Sequence, residues 1–157
     1  MKLSLFVIGK TNQRWLEDAI DEYVKRVKRY VTFDYRVIPD VKNAAALSES
    51  LLKEKEGEQL LGLVGSGDEV FLFDESGKSY SSEGFADFIE KKMLQSLKSL
   101  IFVIGGAYGF SDAVYARANG KIALSQMTFS HQMVRLIATE QLYRAFSILN
   151  YEPYHHK

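Results

Sequence analysis

The sequence contains no cysteine, which excludes disulfide bonds and thiolate chemistry. It has no excess charge of either sign, because Lys and Arg number 20 and Asp and Glu also number 20. Global charge therefore gives no indication of nucleic-acid binding, although a local basic patch is compatible with a neutral total. The uncharged run near the start covers only residues 3–9, too short for a signal peptide or a membrane span. These absences predict a cytoplasmic protein without a membrane segment.

Several familiar catalytic motifs are missing as well. The sequence has no G-x-G-x-x-G dinucleotide fingerprint, no full G-x-x-x-x-G-K-[ST] phosphate-binding loop, no G-x-S-x-G elbow and no H-E-x-x-H pair. The only histidines are His131, His155 and His156. Two adjacent histidines near the end of a chain are more typical of a polar tail than of a metal site, so we expect no metal.

The hydrophobic pattern predicts an α/β fold in which strands alternate with helices. At 157 residues the chain is long enough for one domain with a substantial core. We expect about five strands in a mostly parallel sheet with helices on both faces. The predicted strands are 3–8, 33–38, 70–74, 100–104 and 122–124, with a turn at 75–78. The predicted helices are 12–27 (capped by Asn12), 44–61, 81–97 (capped by Ser81 or Ser82), 113–118 and 131–149.

Residues 100–133 are the most informative stretch. A buried strand ends at Gly105 and Gly106, and Gly109 follows, so three glycines within five positions indicate a shaped loop. A helix that Ser111 can cap and a short strand come next, and the polar loop 125–130 leads into the last helix. This order places two loops at the carboxyl ends of neighbouring strands, where open α/β sheets bind ligands.

A ligand between these loops would meet mainly backbone groups, because the side chains there are small or absent. Neither loop contains Lys or Arg, which favours a purine edge, a ribose or a sulfonium over a triphosphate. Leu124, Met127 and Phe129 could enclose a base. On spacing alone, a structural role for the glycines is as plausible as ligand binding.

Longer motifs carry a resemblance to a known family. The segment VIGGAYGF is followed by LSQMTFSHQMVRLIATEQLYRAF and a PYH tail, and the start LSLFVIGK and the segment SSEGFA fit as well. Together they resemble the RlmH (YbeA-like) family of SPOUT methyltransferases over essentially the whole chain. The resemblance implies a single SPOUT domain over residues 1–157, whose C-terminal part, about residues 100–150, forms a deep trefoil knot and carries the cofactor loops.

The resemblance also implies an activity. Family members bind S-adenosylmethionine in a bent form, release S-adenosylhomocysteine, and act as homodimers whose sites lie near the subunit interface. They methylate N3 of a pseudouridine in a stem-loop of 23S ribosomal RNA on the assembled ribosome. A non-catalytic RNA- or ribosome-binding SPOUT module and a SPOUT methyltransferase acting on tRNA are the alternatives. The intact glycine and LSQMTF loops argue against the first alternative, and the lack of an RNA-binding extension argues against the second.

Position by position, the resemblance implies two groups of site residues. The cofactor-binding positions are Phe73, Gly105, Leu124, Ser125, Gln126, Met127, Thr128 and Phe129. The catalytic, substrate-side positions are Arg144, Tyr154 and His155. The sequence departs from the family at Ser130, where proline is common; serine is also acceptable at a helix start.

The roles of individual side chains stay open at this point. Arg144 could stabilise a developing anion or form an ion pair with Glu140, and His155 could act as a general base. His131 is more typical of helix capping or packing, and Arg135 is a further candidate. The side chains considered for RNA contact are Lys10, Arg14, Lys25, Arg26 and Lys28, of which the last three are also typical of a solvated helix end. Those considered for a dimer face are Leu136, Tyr143 and Ile148.

Overall fold

The structure, a computed structural model, describes residues 1–156. Strands and helices alternate along these residues. The strands are β1 (Lys2–Ile8), β2 (Thr32–Ile38), β3 (Glu69–Ser79), β4 (Ser99–Ile104) and β5 (Gly120–Ala123). The helices are α1 (Arg14–Val27), α2 (Glu49–Leu61), α3 (Ser82–Leu94), α4 (Asp112–Arg117) and α5 (Met133–Leu149).

The five strands form one sheet in the order β2-β1-β4-β3-β5. Every neighbouring pair is parallel; Leu3, for example, pairs with Phe33 on one side and with Leu100 on the other. A sheet of this kind is buried on both faces, which explains the continuous apolar runs of β1 and β4. The predicted α/β class, with about five largely parallel strands, is confirmed.

Two hydrophobic cores lie on opposite faces of the sheet. Alternate residues of each central strand enter different cores; in β4, Phe102 belongs to the first and Val103 to the second. Helices α1, α3 and α5 cover the first core, and α2 and α4 cover the second. Both faces of the sheet therefore carry helices, as predicted.

Helix starts follow the positions of short polar side chains. Ser81 Oγ accepts a hydrogen bond from the Gly84 amide, and Ser111 Oγ accepts one from the Val114 amide, so both serines cap helices as expected. The predicted cap at Asn12 is wrong, because α1 begins after Gln13. The Asn12 amide instead donates to Gln132 Oε1 at the start of α5, which joins the amino ends of α1 and α5.

Several boundaries differ from the sequence prediction; the helix predicted for 81–97, for example, ends at Leu94. The helix predicted for 44–61 is a 3-10 turn at Ala44–Ala46 followed by α2, because Ser48 accepts the Leu51 amide and starts a new helix. The turn predicted for 75–78 lies within β3, which has an irregularity after Phe73 and then pairs again with β5 through Lys78 and Ser79. Strand β5 ends at Ala123, so Leu124 belongs to the following loop.

No helix within residues 1–156 is both long and apolar enough to cross a membrane.

Candidate functional site

A cavity of about 440 Å³ opens at the carboxyl ends of β3, β4 and β5. Its wall combines backbone from the loop after β4, the loop after β5 and the amino end of α5. The lining residues are Phe73, Asp74, Glu75, Ile104, Gly105, Gly106, Ala107, Gly109, Phe110, Leu124, Ser125, Met127, Thr128, Phe129, Ser130, His131 and Val134. The two loops singled out in the sequence therefore do meet around one cavity.

The glycine loop is held in a fixed shape. The Gly109 amide donates to the Gly106 carbonyl at 3.1 Å, closing a tight turn, and Gly109 has a φ of 83°, which favours glycine. At Gly105 a Cβ atom would lie 3.1 Å from the ring of Phe110. The turn therefore presents backbone, with little side chain, to the cavity.

The loop after β5 forms the facing wall. Of the eight predicted cofactor-binding residues, seven line the cavity, and Gln126 belongs to the loop without being part of the lining. Ser125 Oγ accepts the Met127 amide at 2.9 Å, and Ser130 Oγ accepts the Met133 amide at 3.0 Å. Ser130 thus fixes the turn that leads into α5, although it lies two residues before the N-cap position, Gln132.

The charge of the cavity wall is negative. Asp74 and Glu75 line the cavity, and none of its lining residues within the described chain is Lys or Arg. Asp74 accepts hydrogen bonds from the amide and the hydroxyl of Ser76 and from the hydroxyl of Tyr115. Burial raises the pKa of Asp74, but these hydrogen bonds and the charge of Lys121 outweigh it and hold the pKa below its ordinary value. A fixed negative charge therefore lies at the cavity.

His131 and Arg135 lie at the amino end of α5 with different environments. His131 lines the cavity, and burial together with the charge of Arg135 lowers its pKa, while Asp40 opposes the shift. Arg135 is fully buried and donates to the carbonyl oxygens of Ile8 at 2.6 Å and Gly9 at 2.7 Å. Arg135 therefore ties α5 to the end of β1 and does not face a substrate.

Arg144 and Tyr154 belong to a separate polar cluster at the other end of α5. Arg144 donates twice to Glu140 Oε1, at 2.7 and 3.1 Å, which is the ion pair that their spacing allows. The Tyr154 hydroxyl donates to the same oxygen at 3.0 Å and lies 3.2 Å from the Tyr23 hydroxyl. Burial and these two partners raise the pKa of Tyr154, so its phenol stays protonated.

His155 completes this cluster, and both of its ring nitrogens have partners. Nδ1 lies 3.1 Å from an Arg144 guanidinium nitrogen, and Nε2 lies 3.0 Å from Glu83 Oε1. Since a guanidinium can only donate, Nδ1 accepts, and the hydrogen-bond network assigns the ring proton to Nε2, which donates to Glu83. The structure thus brings Arg144, Tyr154 and His155 together in one cluster.

The cluster is distant from the cavity of its own chain. Val134 lines the cavity and Arg144 lies ten residues further along the same helix, which corresponds to about 15 Å. The two groups of predicted site residues are therefore each assembled, but at opposite ends of α5.

Some polar residues of both groups were missed in the sequence. Asp74 and Glu75 directly follow the buried part of β3, and that position at a strand end was the available signal. Glu83 and Tyr23 carried no such signal, because their contacts with the tail span 72 and 131 positions of the chain.

The predicted dimer-face residues are used within the chain. Tyr143 is buried, and Leu136 and Ile148 pack against the first core. Exposed apolar side chains are found instead at Met127, beside the cavity, and at Trp15 and Met133, where α1 and α5 begin. Among residues 1–156 no group of three or more His, Asp or Glu side chains is arranged to hold a metal ion.

Comparisons with known proteins show the family of the chain. The family model described as "Predicted SPOUT methyltransferase" matches residues 1–155. Proteins named "Ribosomal RNA large subunit methyltransferase H" are similar over their whole length, covering 100% of both chains. They include those of Flavobacterium johnsoniae at 54% identity, Christiangramia forsetii at 55% and Bacteroides thetaiotaomicron at 52%. The chain therefore belongs to the SPOUT methyltransferase family.

Proposed function

We propose that this protein is an S-adenosylmethionine-dependent methyltransferase that modifies N3 of a pseudouridine in large-subunit ribosomal RNA. The reaction takes place on the assembled ribosome in the cytoplasm, and the enzyme works as a homodimer. The name shared by the full-length relatives supports the RNA substrate. The cavity at the ends of β3, β4 and β5 supports the cofactor and is the observation that carries the proposal.

The cavity residues fit S-adenosylmethionine by shape and charge. The cofactor supplies an electrophilic methyl group on a positively charged sulfur. Asp74 places a negative charge at the cavity, and the lack of Lys and Arg in its lining among residues 1–156 disfavours a polyphosphate. Backbone groups of the glycine loop and of the loop after β5 offer hydrogen bonds to a purine and a ribose, while Leu124 and Phe129 offer apolar surface.

The separation of the two residue groups supports a homodimer. A methyl group moves only when the reacting atoms are about 3–3.5 Å apart, so a cluster about 15 Å along α5 cannot serve its own cavity. A second copy of the chain can place its Arg144, Tyr154 and His155 over that cavity. The exposed Met127, Trp15 and Met133 provide apolar surface for such a contact.

The cluster residues then have separate roles in the reaction. The N3–H group of the pseudouridine must lose its proton before, or as, the nitrogen forms its bond to the methyl carbon. Arg144 offers a fixed positive charge that stabilises the developing anion. His155 Nδ1 can take the proton once Arg144 turns toward the RNA, because its lone pair is then released and Nε2 remains bound to Glu83.

Methyl transfer from labelled S-adenosylmethionine tests this function directly. Assembled ribosomes, isolated large subunits and bulk tRNA are offered as substrates, and the labelled nucleotide is identified. We expect label in one pseudouridine of large-subunit RNA, strongest with assembled ribosomes. Label only in tRNA would reject the substrate and keep the cofactor site, and no label without cofactor binding would favour a non-catalytic RNA-binding module.

Mixed dimers test the shared site. Gly105→Trp blocks the cavity and Arg144→Ala removes the cation, so each homodimer is inactive. A heterodimer of the two retains one intact site, and random mixing should restore about one quarter of wild-type activity. Failure of the mixture to regain activity, with heterodimers shown to form, would reject a site shared between chains.

A further inference from the structure

The carboxyl end of α1 carries a dense run of positive charge. Lys25, Arg26, Lys28 and Arg29 occupy four of five consecutive positions. Lys25, Lys28 and Arg29 are exposed, and no ion pair in the described part of the chain involves them. Arg26 differs, because its Nε donates to Glu22 at 3.0 Å. Three cations at this helix end therefore keep their charge available to a partner.

This helix end is joined to the Arg144–Tyr154–His155 cluster by direct contacts. The Arg26 guanidinium lies 5.0 Å from the centre of the Tyr23 ring and 5.3 Å from that of Tyr143. Both tyrosines contact Tyr154. The hydroxyl of Tyr23 lies within hydrogen-bond distance of the Tyr154 hydroxyl, and the ring of Tyr143 meets the Tyr154 ring edge-on with their centres 4.6 Å apart.

Tyr30, which directly follows Arg29, adds a further contact between the end of α1 and the tail. The Tyr30 hydroxyl donates to Glu152 at 2.6 Å, so the segment after α1 is held against the tail that carries Tyr154 and His155. The helix end that bears the exposed cations is therefore packed against the segment that carries Tyr154 and His155.

We propose that Lys25, Lys28 and Arg29 bind phosphates of the ribosomal RNA strand that flanks the target nucleotide. This inference rests on the proposed function and deepens it by assigning the RNA-binding surface. The chain has no net charge, so attraction to RNA must come from a local patch. Phosphate contacts fix the register of an RNA, and these cations lie where register decides which base reaches the cluster.

The simpler explanation is a solvated helix end, where cations complement the helix dipole. The two explanations differ in one measurable quantity. Cations that bind phosphates release counterions, so they contribute to the salt dependence of binding, whereas cations that stabilise only the helix do not.

The test uses the full-length triple variant Lys25→Gln, Lys28→Gln, Arg29→Gln, because glutamine keeps the helix propensity and removes the charge. The matched control is Lys42→Gln, Lys55→Gln, Lys91→Gln, which removes the same charge from exposed lysines elsewhere. Affinity for purified ribosomes is measured at several salt concentrations. Methyl-transfer kinetics, S-adenosylmethionine affinity and thermal melting are measured in parallel.

We expect the triple variant to bind ribosomes ~10–100-fold more weakly near 100 mM salt and to lose about two units of the logarithmic salt slope. Its kcat at saturating ribosomes and its cofactor affinity should stay within about twofold of wild type, and the control should bind normally. Equal behaviour of the triple variant and the control would overturn the RNA surface and leave the proposed function intact. Absence of ribosome methylation by the wild-type protein would overturn the function itself.

Discussion

The two ends of α5 carry polar sites of opposite construction. At its amino end the cavity is walled by backbone and small side chains, and the charges in its lining are the carboxylates of Asp74 and Glu75. At its carboxyl end Arg144, Glu140, Tyr154 and His155 form a network in which each member has a partner. The first arrangement suits recognition of a small cationic ligand by shape, and the second suits charge stabilisation during a reaction. Their separation is the basis for the proposal that binding and chemistry are divided between two copies of the chain.

The largest expected effect comes from filling the cavity. Gly105→Trp places an indole where a Cβ alone would already approach the Phe110 ring to 3.1 Å, and we expect cofactor affinity to fall more than ~100-fold. Calorimetric titration with S-adenosylmethionine measures the change. Gly67→Trp is the control, because a side chain at Gly67 meets open space. Retained cofactor binding by a folded Gly105→Trp protein would show that the ligand lies elsewhere.

Removing the cation at the other end should affect turnover and not cofactor binding. Arg144→Ala takes away the charge that Glu140 holds in place, and we expect kcat to fall ~100–1,000-fold with cofactor affinity unchanged. Arg144→Lys is the companion variant, since it keeps the charge and loses the paired hydrogen bonds. A normal kcat in Arg144→Ala would reduce Arg144 to a purely structural ion pair.

A smaller effect should follow from neutralising the cavity. Asp74→Asn removes the fixed negative charge, and we expect S-adenosylmethionine to bind about tenfold more weakly while S-adenosylhomocysteine, which lacks the sulfonium charge, changes less than about twofold. Titration of both ligands gives the ratio. Tyr115→Phe keeps the charge of Asp74 and removes one hydrogen bond, so it should preserve the preference. Equal weakening of both ligands by Asp74→Asn would assign Asp74 a structural role alone.

The smallest effect concerns pH. Burial and Arg135 lower the pKa of His131 in the folded protein, so the unfolded chain binds more protons at His131 as pH falls through its ordinary value of about 6.5. The free energy of unfolding should therefore decrease slightly between about pH 7.5 and 5.5, and His131→Gln should reduce that decrease. Urea unfolding at the two pH values measures it. An identical pH dependence in the variant would contradict the role of His131.

The sequence predicts the parts of the fold that depend on local pattern. The apolar runs of β1 and β4 could be recognised because both faces of these strands are buried. The extension of β3 beyond Phe73 could not, since Glu75, Ser76 and Gly77 have turn composition, and the strand continues past them only because Lys78 and Ser79 pair with β5. The trefoil knot stays a prediction, because the threading of a chain leaves no local pattern in its sequence. The single domain over residues 1–157 also stays a prediction.

The candidate site follows the same division. The glycine loop and the loop after β5 could be placed at one edge of the sheet from their positions after strands. The distance between Arg144 and the cavity could be worked out only from the folded helix. Sequence spacing alone does not show that the two groups of candidate residues lie far apart along α5. Asp74 was missed because a carboxylate after a strand is common, and its partners Ser76 and Tyr115 are found only in the folded chain.

The buried guanidinium of Arg135 has a consequence for synthesis of the protein. It holds carbonyl oxygens 127 and 126 positions earlier in the chain, so the end of the first strand gains this partner only after α5 has been made. Contacts of such long range slow folding, and the cavity, which shares α5, can form only at the same late stage. The ligand cavity is therefore assembled only after α5 has been made and has docked on the end of β1.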